Sequence, residues 1–398
     1  MARSADSIEV NPDVLKWARE TAGFSLDQAA DRLKRDAALV ERLERGEEAP
    51  SVGVLKELAR SYKRSLATLL LPDPPPTPPL PMDFRTVKGK EGQRLSPPTL
   101  LALRKARRLQ ALAAELAEDD GQLRQDFATG VYDATADPAR AAAKERRRLG
   151  IDAVAQLTWN DEYTAFRSWR AAVEEQGVLV FQFRMPLEEV RGFSLAEGGP
   201  PTIVLNRSDL PVEARIFTLF HEYGHLLLGA GGICLAEAGG LLQSRQDNRD
   251  EQFCNRFAAA LLVPHDALVQ DAAARELARV HGVPDDELFT PLVRHFKVTR
   301  RVLLLRLYEA RLLNREQVDA KWSEWDRQLL RPKETTKRGG RAGERRARRC
   351  VMEFGTRLPS LVLDAEANGR LSTADALDYL SIKLDDRKEV ADLLAGSE

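Results

Sequence analysis

Along most of this chain apolar residues recur every three or four positions, the period of an amphipathic helix, and that period breaks in one central stretch. Residues 11–70 read as a bundle of four to five helices. Leu15, Ala18 and Arg19 begin the first. Ser25 opens the second, with Gln28 three residues on completing a capping box, and Leu26, Ala29, Ala30 and Leu33 form its stripe. Asp36 can cap a third helix carrying Leu39, Val40 and Leu43, which stops at Gly46. Pro50 and Ser51 open a fourth, with Leu55, Leu58, Ala59 and Tyr62 facing inward. The proline-rich stretch LPDPPPTPPLP (71–81) follows, a stiff extended spacer that marks a domain boundary.

A long amphipathic helix is expected over 97–119, with further helices over 138–149 and 161–176. The apolar runs VLVFQF (178–183) and TIVLN (202–206) then read as strands. Helices are expected again over 212–228, over 249–263 where Pro264 ends the pattern, and over 287–297 and 299–313. The segment KETTKRGGRAGERRARR (333–349), rich in Gly and Arg, reads as a mobile loop without aromatic residues to stack on bases. Helical patterning returns at the end, through Leu358, Leu361, Val362, Ala365, Leu377 and Leu380, and no internal repeat is visible. The expected division is a helical domain at 1–70, a linker at 71–95, an α+β domain with leading helices at 96–313, and a helical extension at 314–398.

Composition narrows the function classes. The chain has 398 residues, enough for two or three cores, and 60 Lys+Arg against 61 Asp+Glu. So even a balance argues against a long-range grip on nucleic acid or an anionic membrane. Cys234, Cys254 and Cys350 are odd in number and form no CxxC pair, as expected of a reduced, cytoplasmic protein. The N-terminus lacks the apolar core of a signal peptide, and no apolar run reaches the length of a membrane span.

The chemistry concentrates late in the chain. None of the five histidines precedes residue 221, and two stand in His221-Glu222-Tyr223-Gly224-His225. Four-residue spacing on a helix puts both imidazoles on one face, able to ligate one zinc. Glu222 then points into the same cleft and can take the proton of a metal-activated water attacking a peptide carbonyl. Ile216, Phe217, Leu219, Phe220 and Leu226 to Leu228 would bury this helix and hold the ligands rigid. TIVLN, just upstream, is expected to pair with an extended substrate by strand addition.

Catalytic zinc usually has a third protein ligand. A third His six residues after His225 is excluded, since Gly231 stands there. Glu251, on the next acidic helix, is the candidate, and it shares a face with Asn255, Ala258 and Leu262. Asp250 is the rival but should face solvent, and Cys254 reads as a buried small hydrophobe. His265, His281 and His295 read as surface or satisfied histidines.

ARIFTLFHEYGHLLLG, followed by DEQFCNRFAAALLVP, resembles the ImmA/IrrE family of metallopeptidases, as do GVLVFQF…GFSLAEGGPPTIVLN before it and HFKVTRRVLLLRL after. The resemblance covers about residues 160–310. It implies a zincin-like fold, Zn2+ held by His221, His225 and Glu251, and Glu222 as the catalytic base. It also implies an endopeptidase whose substrate is a regulatory protein such as a repressor encoded nearby, whose cleavage releases stress or mobile-element genes.

Residues 11–70, ending in KELARSYKRSLATLLLP, resemble the XRE or lambda-repressor-like helix-turn-helix. Early in the recognition helix this chain has Ala37 and Ala38, which cannot hydrogen-bond a base. Arg42 remains to read DNA, and Arg32, Lys34 and Arg35 could meet phosphates. With 11 Lys/Arg against 10 Asp/Glu in 11–70, the expectation is weak DNA binding and a role in protein docking or dimerisation. The fold class expected is α+β, predominantly helical: helix-turn-helix bundle, central zincin-like metallopeptidase domain, helical C-terminal extension. Expected partners are the protein substrate, weakly held DNA and a second copy of the chain in a homodimer, with no membrane. The alternative reading is a DNA-binding transcriptional regulator or antitoxin-like component whose peptidase fold serves as an interaction module.

Overall fold

Side-chain caps set the helix starts in the N-terminal part. Asn11, Ser25, Asp36, Ser51 and Ser65 each accept a hydrogen bond from a first-turn amide, and Ser25 with Gln28 forms the reciprocal box. These contacts come from a computed structural model, which describes residues 7–76, 95–118, 127–208, 210–229, 233–235, 249–329 and 345–396. By contacts the chain divides into two units, Met1–Lys105 and Ala106–Glu398.

The first unit contains α1 (Pro12–Thr21), α2 (Leu26–Leu33), α3 (Ala37–Glu44), α4 (Val52–Tyr62) and α5 (Leu66–Leu69), and α6 (Pro97–Glu118) crosses the division. Leu15, Ala29, Leu33, Val40, Leu43, Leu55, Leu58 and Tyr62 form its core, the inward positions expected of the bundle. A buried bidentate pair joins α1 to α3, with Arg19 Nε and Nη2 donating to Glu44 at 2.7 and 2.8 Å. Of the proline-rich spacer, residues 71–76 are described and form no regular element, and residues 77–94 lie outside the described residues.

The second unit builds a helical shell around one small sheet. Its elements are α7 (Pro138–Arg148), α8 (Ala153–Thr158), α9 (Glu162–Glu175), β1 (Leu179–Phe183), β2 (Val190–Leu195), β3 (Thr202–Asn206), α10 (Val212–Leu227), β4 (Ile233–Leu235), α11 (Arg249–Leu262), α12 (His265–Gln270), α13 (Ala272–Leu277), α14 (Thr290–Phe296), α15 (Arg300–Glu309), α16 (Arg315–Leu329), α17 (Arg346–Phe354), α18 (Arg357–Ala367), α19 (Thr373–Leu380) and α20 (Arg387–Ala395). The sheet order is β1-β3-β2-β4. β1 runs parallel to β3, Leu179 opposite Thr202, while β2 is antiparallel to β3 and to β4, with an irregularity between Val190 and Gly192.

This order overturns one expectation. TIVLN is β3, flanked by β1 on one side and β2 on the other. Each strand has two hydrogen-bonding edges, and both edges of β3 are filled, so it cannot accept a substrate strand.

All of β1 and β3 is buried, which requires cover on both faces of the sheet. One cover is α10, which packs on β2 and β3 and is itself clasped by α9 and α11. An aromatic chain fills that layer: Trp169 meets Phe220 edge-on at 4.9 Å, and Tyr223 stacks on Phe257. The other cover comes from α17, whose Phe354 stands edge-on to Phe181 and Phe183 at 6.4 Å each. Buried Glu174 at the end of α9 receives the turn after α17: Thr356 donates its amide at 3.0 Å and its hydroxyl at 2.6 Å to Oε2. Arg170 bonds Glu174, the Met352 carbonyl and the Val180 carbonyl of β1. Residues 345–396 therefore share the core unit that holds the sheet. Of the basic segment 333–349, residues 333–344 lie outside the described residues, and Arg346 to Arg349 form the first turn of α17 instead of a loop.

Candidate metal centre

The sequence EARIFTLFHEYGHLL makes α10 apolar nearly all round, and the chain buries it between sheet and α11. His221, Glu222 and His225 are carried with it, each 2% exposed or less. The four-residue spacing stacks the two imidazoles, ring centroids 4.9 Å apart, with Nε2 atoms 3.1 Å from each other.

Glu251 arrives from the first turn of α11, where the helix dipole favours a carboxylate. Its Oε2 is 3.2 Å from His221 Nε2 and its Oε1 is 3.4 Å from His225 Nε2. Burial opposes ionisation of Glu251, but the two histidines outweigh it and hold the carboxyl well below its ordinary range. Donors at 2.0–2.1 Å from a tetrahedral zinc stand about 3.3–3.4 Å apart, and this triangle of two imidazoles and a carboxylate closely fits that spacing. Among the described residues it is the one group of three or more such side chains that could hold a metal ion.

Two glycines allow these elements to approach. A Cβ on Gly224 would lie 3.1 Å from Cys254 Sγ and 3.3 Å from Cys254 Cα, so the missing side chain lets α11 pack close enough for Glu251 to reach both histidines. A Cβ on Gly192 would lie 2.7 Å from Thr218 Cγ2 and 3.4 Å from Glu222 Oε1, so β2 can run directly over the Glu222 carboxyl. That carboxyl is fully buried, with the Ser194 side chain of β2 beside it. Burial pushes Glu222 up to about 7, against the pull of His225 and His221. A divalent cation beside it would draw that value down.

The other sequence candidates stand apart from this group. Asp250 is exposed, as expected from its 100° offset on the helix. Cys254 is fully buried between the two helices. His265 and His281 are exposed, and His295 pairs with Asp271 at 2.7 Å. Asn255, singled out in the sequence only as a neighbour of Glu251 on its face, has Oδ1 3.0 Å from His221 Nδ1. Gly192 and Ser194 escaped sequence reasoning, because nothing local in VRGFSL announces a strand facing Glu222.

In the first unit α2 and α3 form the expected helix-turn-helix, with Ala37 and Ala38 opening the second helix. Arg32, Lys34, Arg35 and Arg42 are all exposed. Arg32 lies over the Phe24 ring at 5.3 Å, and Arg42 pairs with Glu48 at 2.9 Å. Such an exposed pair is worth roughly 0–1 kcal/mol, so it restrains Arg42 only weakly. From Asp36 to Glu48, however, five carboxylates accompany two arginines, an acidic setting for a helix that would meet phosphates.

Two family models match the chain. Residues 13–70 match the helix-turn-helix domain, and residues 173–308 match the IrrE N-terminal-like domain, a peptidase family. No curated protein and no solved structure matches it. The second match contains the strands, α10 and α11, hence the whole group of His221, Glu222, His225 and Glu251. The chain is thus similar to a helix-turn-helix domain over residues 13–70 and to the IrrE N-terminal-like peptidase domain over residues 173–308.

Proposed function

We propose that this protein is a zinc-dependent endopeptidase, with His221, His225 and Glu251 holding the metal and Glu222 moving the proton. The observation that carries this reading is the coincidence of a three-donor triangle of zinc dimensions with a fully buried carboxylate, Glu222, between the two histidines on α10. A bound zinc would polarise the substrate carbonyl and lower the pKa of water from 15.7 to about 7. Glu222 accepts the proton of the attacking water at its carboxylate and delivers it to the departing amine, so it returns to its starting state each cycle. The apolar packing of α10 keeps bulk water from the carboxylate and fixes the geometry.

The substrate class we infer is a regulatory protein such as a transcriptional repressor encoded nearby. What supports this is the helix-turn-helix domain in the same chain, which belongs with gene control. Cys254 and Cys350 are buried and not joined in a disulfide, which supports a reducing, cytoplasmic setting. Among the described residues no helix is long and apolar enough to cross a membrane.

The test is cleavage of regulators encoded beside the gene, by the full chain and by E222Q. Only the parent should cut, while E222Q keeps its fold and its zinc. Equal cutting by E222Q would remove Glu222 from the mechanism. Failure of both proteins on every such regulator would favour the interaction-module alternative.

A further inference from the structure

Asn255 lies one helical turn after Glu251 on α11, so one helix presents both side chains to the histidines of α10. Its Oδ1 is 3.0 Å from His221 Nδ1. An amide oxygen only accepts, so Nδ1 carries the hydrogen and Nε2 is left with a lone pair. That Nε2 is the atom 3.1 Å from His225 Nε2 and 3.2 Å from Glu251 Oε2. We propose that Asn255 is a positioning residue, which orients the ring of His221 and, with its oxygen toward Nδ1, favours the tautomer that leaves Nε2 open to a divalent cation. The proposal rests on the metal-centre reading above.

A second observation makes this contact weigh more. His225 Nδ1 is buried and has no hydrogen-bond partner among the described residues. Among the described residues, a protein partner on the ring nitrogen away from the site is found at His221. Asparagine also does this work in a particular way. Rotating its amide by half a turn presents NH2 instead of oxygen, which would suit the opposite tautomer with hydrogen on Nε2. A neutral amide tolerates both tautomers, whereas a carboxylate accepts only from Nδ1–H and raises the basicity of the ring. The chain thus carries the weaker of two orienters of nearly equal size, and Asn255→Asp should tighten metal binding.

The experiment uses the full chain, stripped of metal, and titrates zinc against a chromophoric chelator for the parent, N255L and N255D. Cobalt(II) absorption reports the ligand geometry separately, and melting of the metal-free proteins reports the fold. N255L should bind zinc about 10–100-fold more weakly than the parent. N255D should bind at least as tightly as the parent and keep its cobalt spectrum. Parent-like affinity in N255L, or N255D as weak as N255L, would overturn the positioning role and leave the metal centre standing. A parent that takes up neither zinc nor cobalt would overturn the metal reading, and this proposal with it.

Discussion

Replacing Gly224 by Ala separates the packing of the site from its ligands, because it changes no donor. Two effects on stability oppose each other. Alanine is a better helix former than glycine by about 1 kcal/mol. Against that, the new Cβ would stand 3.1 Å from Cys254 Sγ, 3.3 Å from its Cα and 3.4 Å from its Cβ, where ordinary contact begins at 3.4 Å. Overpacking of this kind costs roughly 1–3 kcal/mol. The net change in metal-free stability should therefore fall between about zero and 2 kcal/mol. Affinity for zinc has no such compensation. Cys254 stands three residues after Glu251, so α11 must yield by a few tenths of an ångström at the point where it delivers the carboxylate. A shift of that size takes up much of the roughly 0.5 Å within which a site must be held. We expect zinc binding weakened about tenfold, which is 1.4 kcal/mol. Adding Cys254→Ala removes the closest atom but leaves the backbone contact, so it should restore part of the loss. The coupling between the two sites should be at least about 0.5 kcal/mol. Chelator competition on G224A, C254A and the double variant measures this directly. Zinc affinity in G224A equal to the parent, with additive effects in the double variant, would refute the account of Gly224.

Three further outcomes follow from other parts of the molecule. T356V removes the 2.6 Å hydroxyl bond to buried Glu174 while keeping the amide bond, so it should cost about 1.5–3 kcal/mol and lower the melting temperature by roughly 3–10 °C. No change in melting would mean that residues 345–396 do not contribute to the stability of the sheet. In fluorescence anisotropy at about 150 mM salt, the full chain should bind its own promoter weakly and with little sequence preference, given Ala37, Ala38 and the carboxylates around Arg42. Nanomolar, sequence-specific binding would reverse that reading and favour a regulator. E251Q should keep the fold and lose most zinc affinity, because it replaces an ionised ligand by a neutral amide; normal binding would redirect the third ligand elsewhere.

What was legible depended on whether a feature is local. The HEYGH spacing follows from helical period alone, and Ser25 and Asp36 cap helices with their immediate neighbours; Glu251 could be named only as a candidate, because its approach to α10 is a contact between two helices. Helices of six residues, such as α8, α12 and α13, are too short to show a period. β2 was hidden because Gly192 and Ser194 interrupt the apolar pattern, and Gly192 is needed there so that the strand can pass over Glu222. The position of TIVLN in the sheet was misread, although its unbroken apolar run is the mark of an interior strand buried on both faces. That VLVFQF is covered by Phe354, more than 170 residues later, and that Asn255 addresses a histidine on another helix, are tertiary facts that no local window contains.

The central claim is that His221, His225 and Glu251 together hold one zinc. Native mass spectrometry of gently purified full-length protein, beside H221A and H225A, tests it most directly. The account predicts one zinc per parent chain and none in either variant. A metal-free parent, or a variant that keeps its zinc, would contradict it.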